Sequence, residues 1–133
     1  FNLQGDMKAA RVVLNSGVPL VQIPCKNVAE HLTTTKAELQ AHIAGRNPLC
    51  DFLYETFCGY SEDHFAWAKE IWDVSAIAWL LNADWVPSVL TPTPILTDQV
   101  TWSHDRTRHL MREATHCRRN PIFRDLFAKL ANA

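Results

Sequence analysis

Between Glu70 and Asn82 the chain reads Glu-Ile-Trp-Asp-Val-Ser-Ala-Ile-Ala-Trp-Leu-Leu-Asn, a run that is almost wholly apolar once Asp73 is passed. Ile71, Val74, Ile77, Ala78 and Leu81 recur at helical spacing, and Trp72, Trp79 and Leu80 widen the stripe until little polar face remains. A helix of this kind is expected to be buried on most sides, so the fold must surround it. A charge at its start needs a reason, and Asp73 has two. Its carboxylate can accept hydrogen bonds from the free N–H groups of the first turn, where the helix dipole also favours it. Alternatively it is a ligand for a metal or a substrate hydroxyl at the mouth of a pocket, with Trp72 as a flat wall for a ring. The segment alone does not choose.

Elsewhere, helix signals alternate with strand signals. Asp6 is placed to cap a helix through Asn15, with Gly17 as its stop. Leu20 to Ile23, closed by Pro24, reads as a short buried strand. Thr35 with Glu38 forms a capping box for a helix over 36–44 that ends at Gly45. Asn47 and Pro48 open another helix to about Phe57, with Leu49, Phe52, Leu53 and Phe57 on one face. The polar break 58–63 separates it from the Trp72 helix. After Asp84, prolines 87, 92 and 94 among β-branched residues argue for extended chain near a sheet edge. Val100–Ser103 and His109–Thr115 are candidate strands, and Asn120-Pro121 starts a final amphipathic helix through Leu130. This alternation makes α/β the fold class. No repeat or composition shift marks a second domain.

Composition limits the partners. At 133 residues, 47% hydrophobic and 20% charged, the chain suits one domain or part of one. Five Trp and six Phe are a heavy aromatic load, as expected where surface is reserved for a missing half or for a subunit of a homo-oligomer. A net charge of −1 gives no reason to expect nucleic acid or an anionic membrane. No apolar run approaches the roughly 20 residues that span a bilayer. Cysteines 25, 50, 58 and 117 form no C-x-x-C pair, so reduced thiols and a cytoplasmic setting are the expectation. A zinc site of Cys50, Cys58 and His64 has the wrong spacing for finger types. His104, Arg106, Arg108, His109, Arg112, His116, Arg118 and Arg119 form a basic cluster, which reads either as an anion site or as a solvated face or subunit contact.

Two passages taken together go further. Residues 1–10, Phe-Asn-Leu-Gln-Gly-Asp-Met-Lys-Ala-Ala, followed by Ser16-Gly17-Val18-Pro19-Leu20, resemble the "EFN…D..AA……SGVPL" passage of the nucleoside hydrolases, the inosine-uridine-preferring family. Trp72-Asp73 matches that family's late "HD" or "WD" position, again opening a helix. Pro94-Ile95-Leu96-Thr97 and Ile122 to Phe127 look like its closing strand and last helix. The resemblance runs over the whole chain but only over the C-terminal portion of the family. It implies that residues 1–133 are the C-terminal part of one domain, an open, mostly parallel sheet wrapped by helices. The family's Asp-rich "DTDPGIDD" loop, which supplies most calcium ligands and the base for water, does not occur in these 133 residues. With the start at Phe1, inside a motif, the expectation is a fragment that is inactive alone and pairs with its missing N-terminal half.

The chemistry follows from the resemblance. Cleaving a ribosyl N-glycosidic bond builds oxocarbenium character on the sugar, so hydroxyls must be oriented, water activated and the departing base stabilised. Calcium, the implied cofactor, is a hard cation suited to sugar hydroxyls and water. Asp73 would coordinate it and hold a ribose hydroxyl, and Asn2, the family's "EFN" asparagine, would hydrogen-bond the nucleoside. Asn2 also reads as an ordinary turn residue. Trp72 stands where some members carry a proton-donating His; an indole N–H cannot serve that role, but the ring can stack on a base, as in the purine-preferring branch. Core packing is the competing reading for Trp72. His64 could swing over the pocket as a proton donor, or be an exposed loop residue. Tyr54, Phe57 and Tyr60 could line the base side. The alternative function is a non-catalytic nucleoside-binding or assembly protein that keeps the fold.

Overall fold

Asp6 adopts an extended conformation and accepts a 2.8 Å hydrogen bond from the backbone N–H of Ala9, satisfying one of the donors that a helix start leaves free. Helix α2 (Met7–Asn15) follows, after a single turn α1 (Asn2–Gly5). The chain then reverses at Gly17, whose φ of +75° is a conformation that side chains with a Cβ rarely adopt. These elements belong to a computed structural model describing residues 2–133, in which the chain forms two compact units.

The first unit joins the chain up to Gln22 with Ser88–Ala114. Its centre is a three-stranded sheet of β1 (Val21–Gln22), β4 (Ser88–Pro92) and β7 (Leu110–Ala114) in the order β1-β7-β4. Strand β7 pairs parallel with β1 and antiparallel with β4. A hairpin, β5 (Ile95–Leu96) with β6 (Trp102–Ser103), is antiparallel. The sheet is therefore mixed, with β4 at an edge where Pro92 costs no ladder donor. Leu14, Leu96, Met111 and Ala114 make a small core. Arg11 binds the Leu96 carbonyl at 2.9 Å and Asp98 at 2.6 Å, and Arg108 donates to the Leu14 carbonyl at 2.8 Å and to Asn15 at 2.6 Å.

The second unit, Ile23–Pro87 with Thr115–Ala133, holds the larger core of Leu32, Leu39, Ile43, Phe57, Ile122 and Phe123 with their neighbours. Strands β2 (Thr33–Thr34) and β3 (Lys69–Glu70) form an antiparallel pair. Helix α3 (Lys36–His42) starts at Thr35, which accepts from the Glu38 N–H at 3.2 Å. Only half of the expected capping box forms, because the Glu38 carboxylate turns instead to Thr34 and to Arg119. Helix α4 (Pro48–Cys58) is capped by Asn47, whose Oδ1 accepts from the Cys50 N–H at 2.9 Å while its Nδ2 donates to the Leu130 carbonyl at 2.8 Å. Helix α5 spans Val74–Leu81 and α6 spans Arg119–Ala131. No helix among the described residues is long and apolar enough to cross a membrane.

Two expectations are corrected here. Helix α5 is not buried on most sides: Ser75 and Ala78 are buried, whereas Ile77 is 58% and Leu80 72% exposed. Of the α4 face, Leu49, Phe52 and Leu53 lie at the surface and Phe57 reaches the core. The residues before α5 are not helical either, since Glu70 belongs to β3 and the Ile71 N–H donates to the Leu32 carbonyl at 2.8 Å. Exposed apolar area on this scale favours association, at roughly 25 cal/mol per Å² removed from water. Produced alone, the chain should self-associate or bind a hydrophobic dye; a monomer with a sharp cooperative melt and no dye binding would contradict this.

Cys117 sits in the same core, 1% exposed, and burial pushes its thiol up to about 11. A buried thiol resists ionisation, so the unfolded chain releases its proton first as pH rises. Stability from this group is complete below the ordinary thiol range and is lost as pH climbs toward 11. Urea unfolding at pH 8 and pH 10.5 should therefore show a fall in stability that shrinks in Cys117→Ala; an equal fall in both proteins would count against it.

Candidate active site

Helix α5 begins without a side-chain cap. Asp73 has helical backbone angles and its carboxylate makes no capping hydrogen bond. The first turn is closed differently: the carbonyl of Trp72 accepts both the N–H and the hydroxyl of Ser75, the latter at 2.8 Å. The capping explanation for Asp73 is thereby removed, and the exposed carboxylate remains available.

Asp73 and half-buried Trp72 line a cleft of about 360 Å³ within the second unit. Its size is in the range of small-molecule sites. Strand β3 brings Lys69 and Glu70 to it, α4 brings Leu53 and Phe57, and Tyr60 follows two residues beyond the end of α4. Helix α6 closes another side with Phe123, Leu126 and Phe127. Lys69 Nζ lies 4.1 Å from the centroid of the Tyr60 ring, a cation–π contact that fixes the lysine at the rim. Apolar and aromatic walls with a few polar groups at one end suit a flat ring bearing a hydroxylated substituent.

The other expected site residues are distributed as follows. Asn2 is exposed at the start of α1, in the first unit. His64 is not among the residues lining the cleft. Its Nε2 lies 3.1 Å from the Cys58 carbonyl, which accepts from it, and its ring meets Trp67 edge-on at 5.5 Å. Trp67 in turn packs on Phe57 at 4.9 Å, so His64 buttresses one wall instead of facing the ligand space. Tyr54 does not line the cleft, whereas Phe57 and Tyr60 do. Lys69, Glu70 and the α6 aromatics were missed by sequence reasoning. A strand of two residues carries no periodicity, and Phe123 and Phe127 read as ordinary core spacing.

Among the described residues no three His, Cys, Asp or Glu side chains gather into a group able to hold a metal. Calcium takes six to eight oxygen ligands, and the described residues gather no group of three acidic side chains toward such a set. The basic cluster of the sequence is divided between the units, and two of its arginines have structural partners. Arg108 ties α2 as described. Arg119 donates to the Thr33 carbonyl at 2.8 Å, pairs with Glu38 and lies 4.5 Å from the Phe123 ring centroid.

The chain has a nucleoside hydrolase-like fold. The solved structure of the purine-preferring ribonucleoside hydrolase from Gardnerella vaginalis superposes over 98% of this chain with a TM-score of 0.77 and 14% sequence identity. The chain spans 45% of the length of that protein. No protein-family model matches the sequence, and no curated protein matches it.

If Asp73 is not a cap, its removal should cost little stability. Asp73→Ala should change the unfolding free energy by within about 0.5 kcal/mol, as at ordinary surface positions. Loss of a true capping Asp costs about 1 kcal/mol or more. A loss of that larger size in urea titration would restore the capping role.

Proposed function

We propose that this chain is the C-terminal part of a calcium-dependent hydrolase that cleaves the N-glycosidic bond of ribonucleosides, with a preference for purines. The observation that carries the proposal is the uncapped Asp73 carboxylate at the rim of an aromatic cleft, beside Trp72. The fold likeness to a purine-preferring ribonucleoside hydrolase supports it.

In this reading Trp72 stacks on the base, a contact worth roughly 1–3 kcal/mol by analogy with aromatic platforms for bases. Asp73 accepts a hydrogen bond from a ribose hydroxyl and contributes one ligand to calcium. Calcium, when bound, would supply an electrophilic anchor for oxygen ligands. The chain needs a polypeptide bearing the Asp-rich loop for a full ligand set and a general base, so it is inactive alone. A cytoplasmic homo-oligomer is the assembly we envisage, with the exposed faces of α4 and α5 covered.

A second reading keeps the fold without catalysis, as a nucleoside-binding or assembly protein. It is favoured by Trp72, because an indole N–H is not acidic enough to protonate a leaving base, and by the position of His64 away from the cleft.

The test is base release from inosine in the presence of calcium chloride. The chain by itself should release none. Produced together with a polypeptide carrying the Asp-rich loop, it should release hypoxanthine, and Asp73→Ala should abolish the reaction. In the same assembly Trp72→Ala should weaken inosine binding by about 1–3 kcal/mol. Turnover that survives Asp73→Ala would overturn the role of Asp73, and inosine binding without turnover would establish the second reading.

A further inference from the structure

His31 and His116 are 85 positions apart in sequence, yet their ring centroids lie 5.3 Å apart with planes inclined at 58°. Both belong to the second unit and both are exposed. Neither ring sits on a loose segment. His31 ends a 3-10 turn, Ala29–His31, and donates its backbone N–H to the Val28 carbonyl at 3.2 Å; fully buried Leu32 follows. His116 is bracketed by two backbone bonds, Thr115 N–H to the Pro87 carbonyl and Arg118 N–H to the Trp85 carbonyl, both 2.8 Å. Among the described residues neither imidazole has a side-chain hydrogen bond or ion pair.

From this geometry we propose that His31 and His116 form a two-histidine site for a divalent late transition metal ion, zinc in the first instance. The separation supports this. An imidazole bound through one nitrogen at the usual zinc distance has its centroid roughly 3.2 Å from the metal, and two such rings at a tetrahedral angle stand about 5.2 Å apart. The observed distance is within that geometry. Neutral imidazole is a ligand suited to zinc, copper and nickel and poorly suited to calcium. The remaining coordination positions face solvent and take water, because the nearby candidates are committed elsewhere. Glu30 accepts from the Asn27 N–H and from Lys26, and the Cys117 thiol points into the core. Bound metal would clamp the 3-10 turn to the segment that leads into α6. The site is independent of the hydrolase reading.

The test is calorimetric titration of the whole chain with zinc chloride at pH 7.5, with calcium chloride as a control. Zinc should bind at one equivalent and raise the melting temperature, and calcium should do neither at this site. His31→Ala and His116→Ala, both at exposed positions, should retain the wild-type circular dichroism and weaken zinc binding by roughly tenfold or more each. Cys25→Ser, which removes the exposed thiol, should bind zinc as the wild type does. Binding that persists in both histidine variants, or that disappears in Cys25→Ser, would overturn the site, as would the absence of one-equivalent binding. In those cases the two rings would simply be packed neighbours.

Discussion

Arg119 holds the second unit in register. Its guanidinium reaches the Thr33 carbonyl of β2, pairs with Glu38 of α3 and lies over Phe123 of its own helix. The neighbouring elements β2 and α3 thus meet α6, more than 80 positions away in sequence, at one planar cation, a geometry for which arginine and not lysine is suited. Through Glu38 the contact extends to Thr34, which is buried. The position of α6, and with it the Phe123 and Phe127 wall of the cleft, depends on this junction. Arg119 opens a helix whose first turn contains no acidic residue, so its charge is balanced by a tertiary partner and not by the helix itself.

The cleft joins two kinds of surface with different causes. Its apolar walls are continuations of the core, since Phe57, Phe123 and Phe127 are buried residues. Its polar rim comes from the short strand β3 and from the start of α5, where the serine at 75 closes the turn and leaves Asp73 free. The Asp73 carboxylate thus stands exposed at the cleft without a capping role. The broad apolar faces of α4 and α5 are a separate matter. The cleft takes Leu53 and Phe57 from α4 and Val74 from α5, and the rest of these faces lies outside it.

Much of the local structure was legible because it is set by local chemistry. Asp6, Thr35 and Asn47 each accept the predicted hydrogen bond at a helix start, and Gly17 and Gly45 take the left-handed conformation at the expected stops. Strand β7 falls within the predicted 109–115. The site was legible only in part. Trp72 and Asp73 stand at the cleft, but the burial of α5 was overestimated, because periodicity reports which residues share a face and not whether anything covers it. Lys69 and Glu70 were out of reach because a strand of two residues carries no periodicity, and the α6 aromatics because they reach the cleft through tertiary packing that no short window records. The mixed pairing of β7 was equally invisible, as strand direction follows from connections and not from composition.

The sheet has a consequence for the order in which the chain can acquire structure. Among the described residues strand β1 pairs with β7 alone, in register Val21↔Arg112. During synthesis β1 therefore has no partner until some 90 further residues have been made, on the order of 5–20 s at ordinary rates of elongation. Until then β1 lacks its β7 partner, a window in which chaperones or other chains can compete for that edge. Long-range parallel pairing also raises the loop-closure cost that must be met before the contact is rewarded. The first unit is thus completed late, when Leu110–Ala114 clears the ribosome, although its residues up to Gln22 emerge well before.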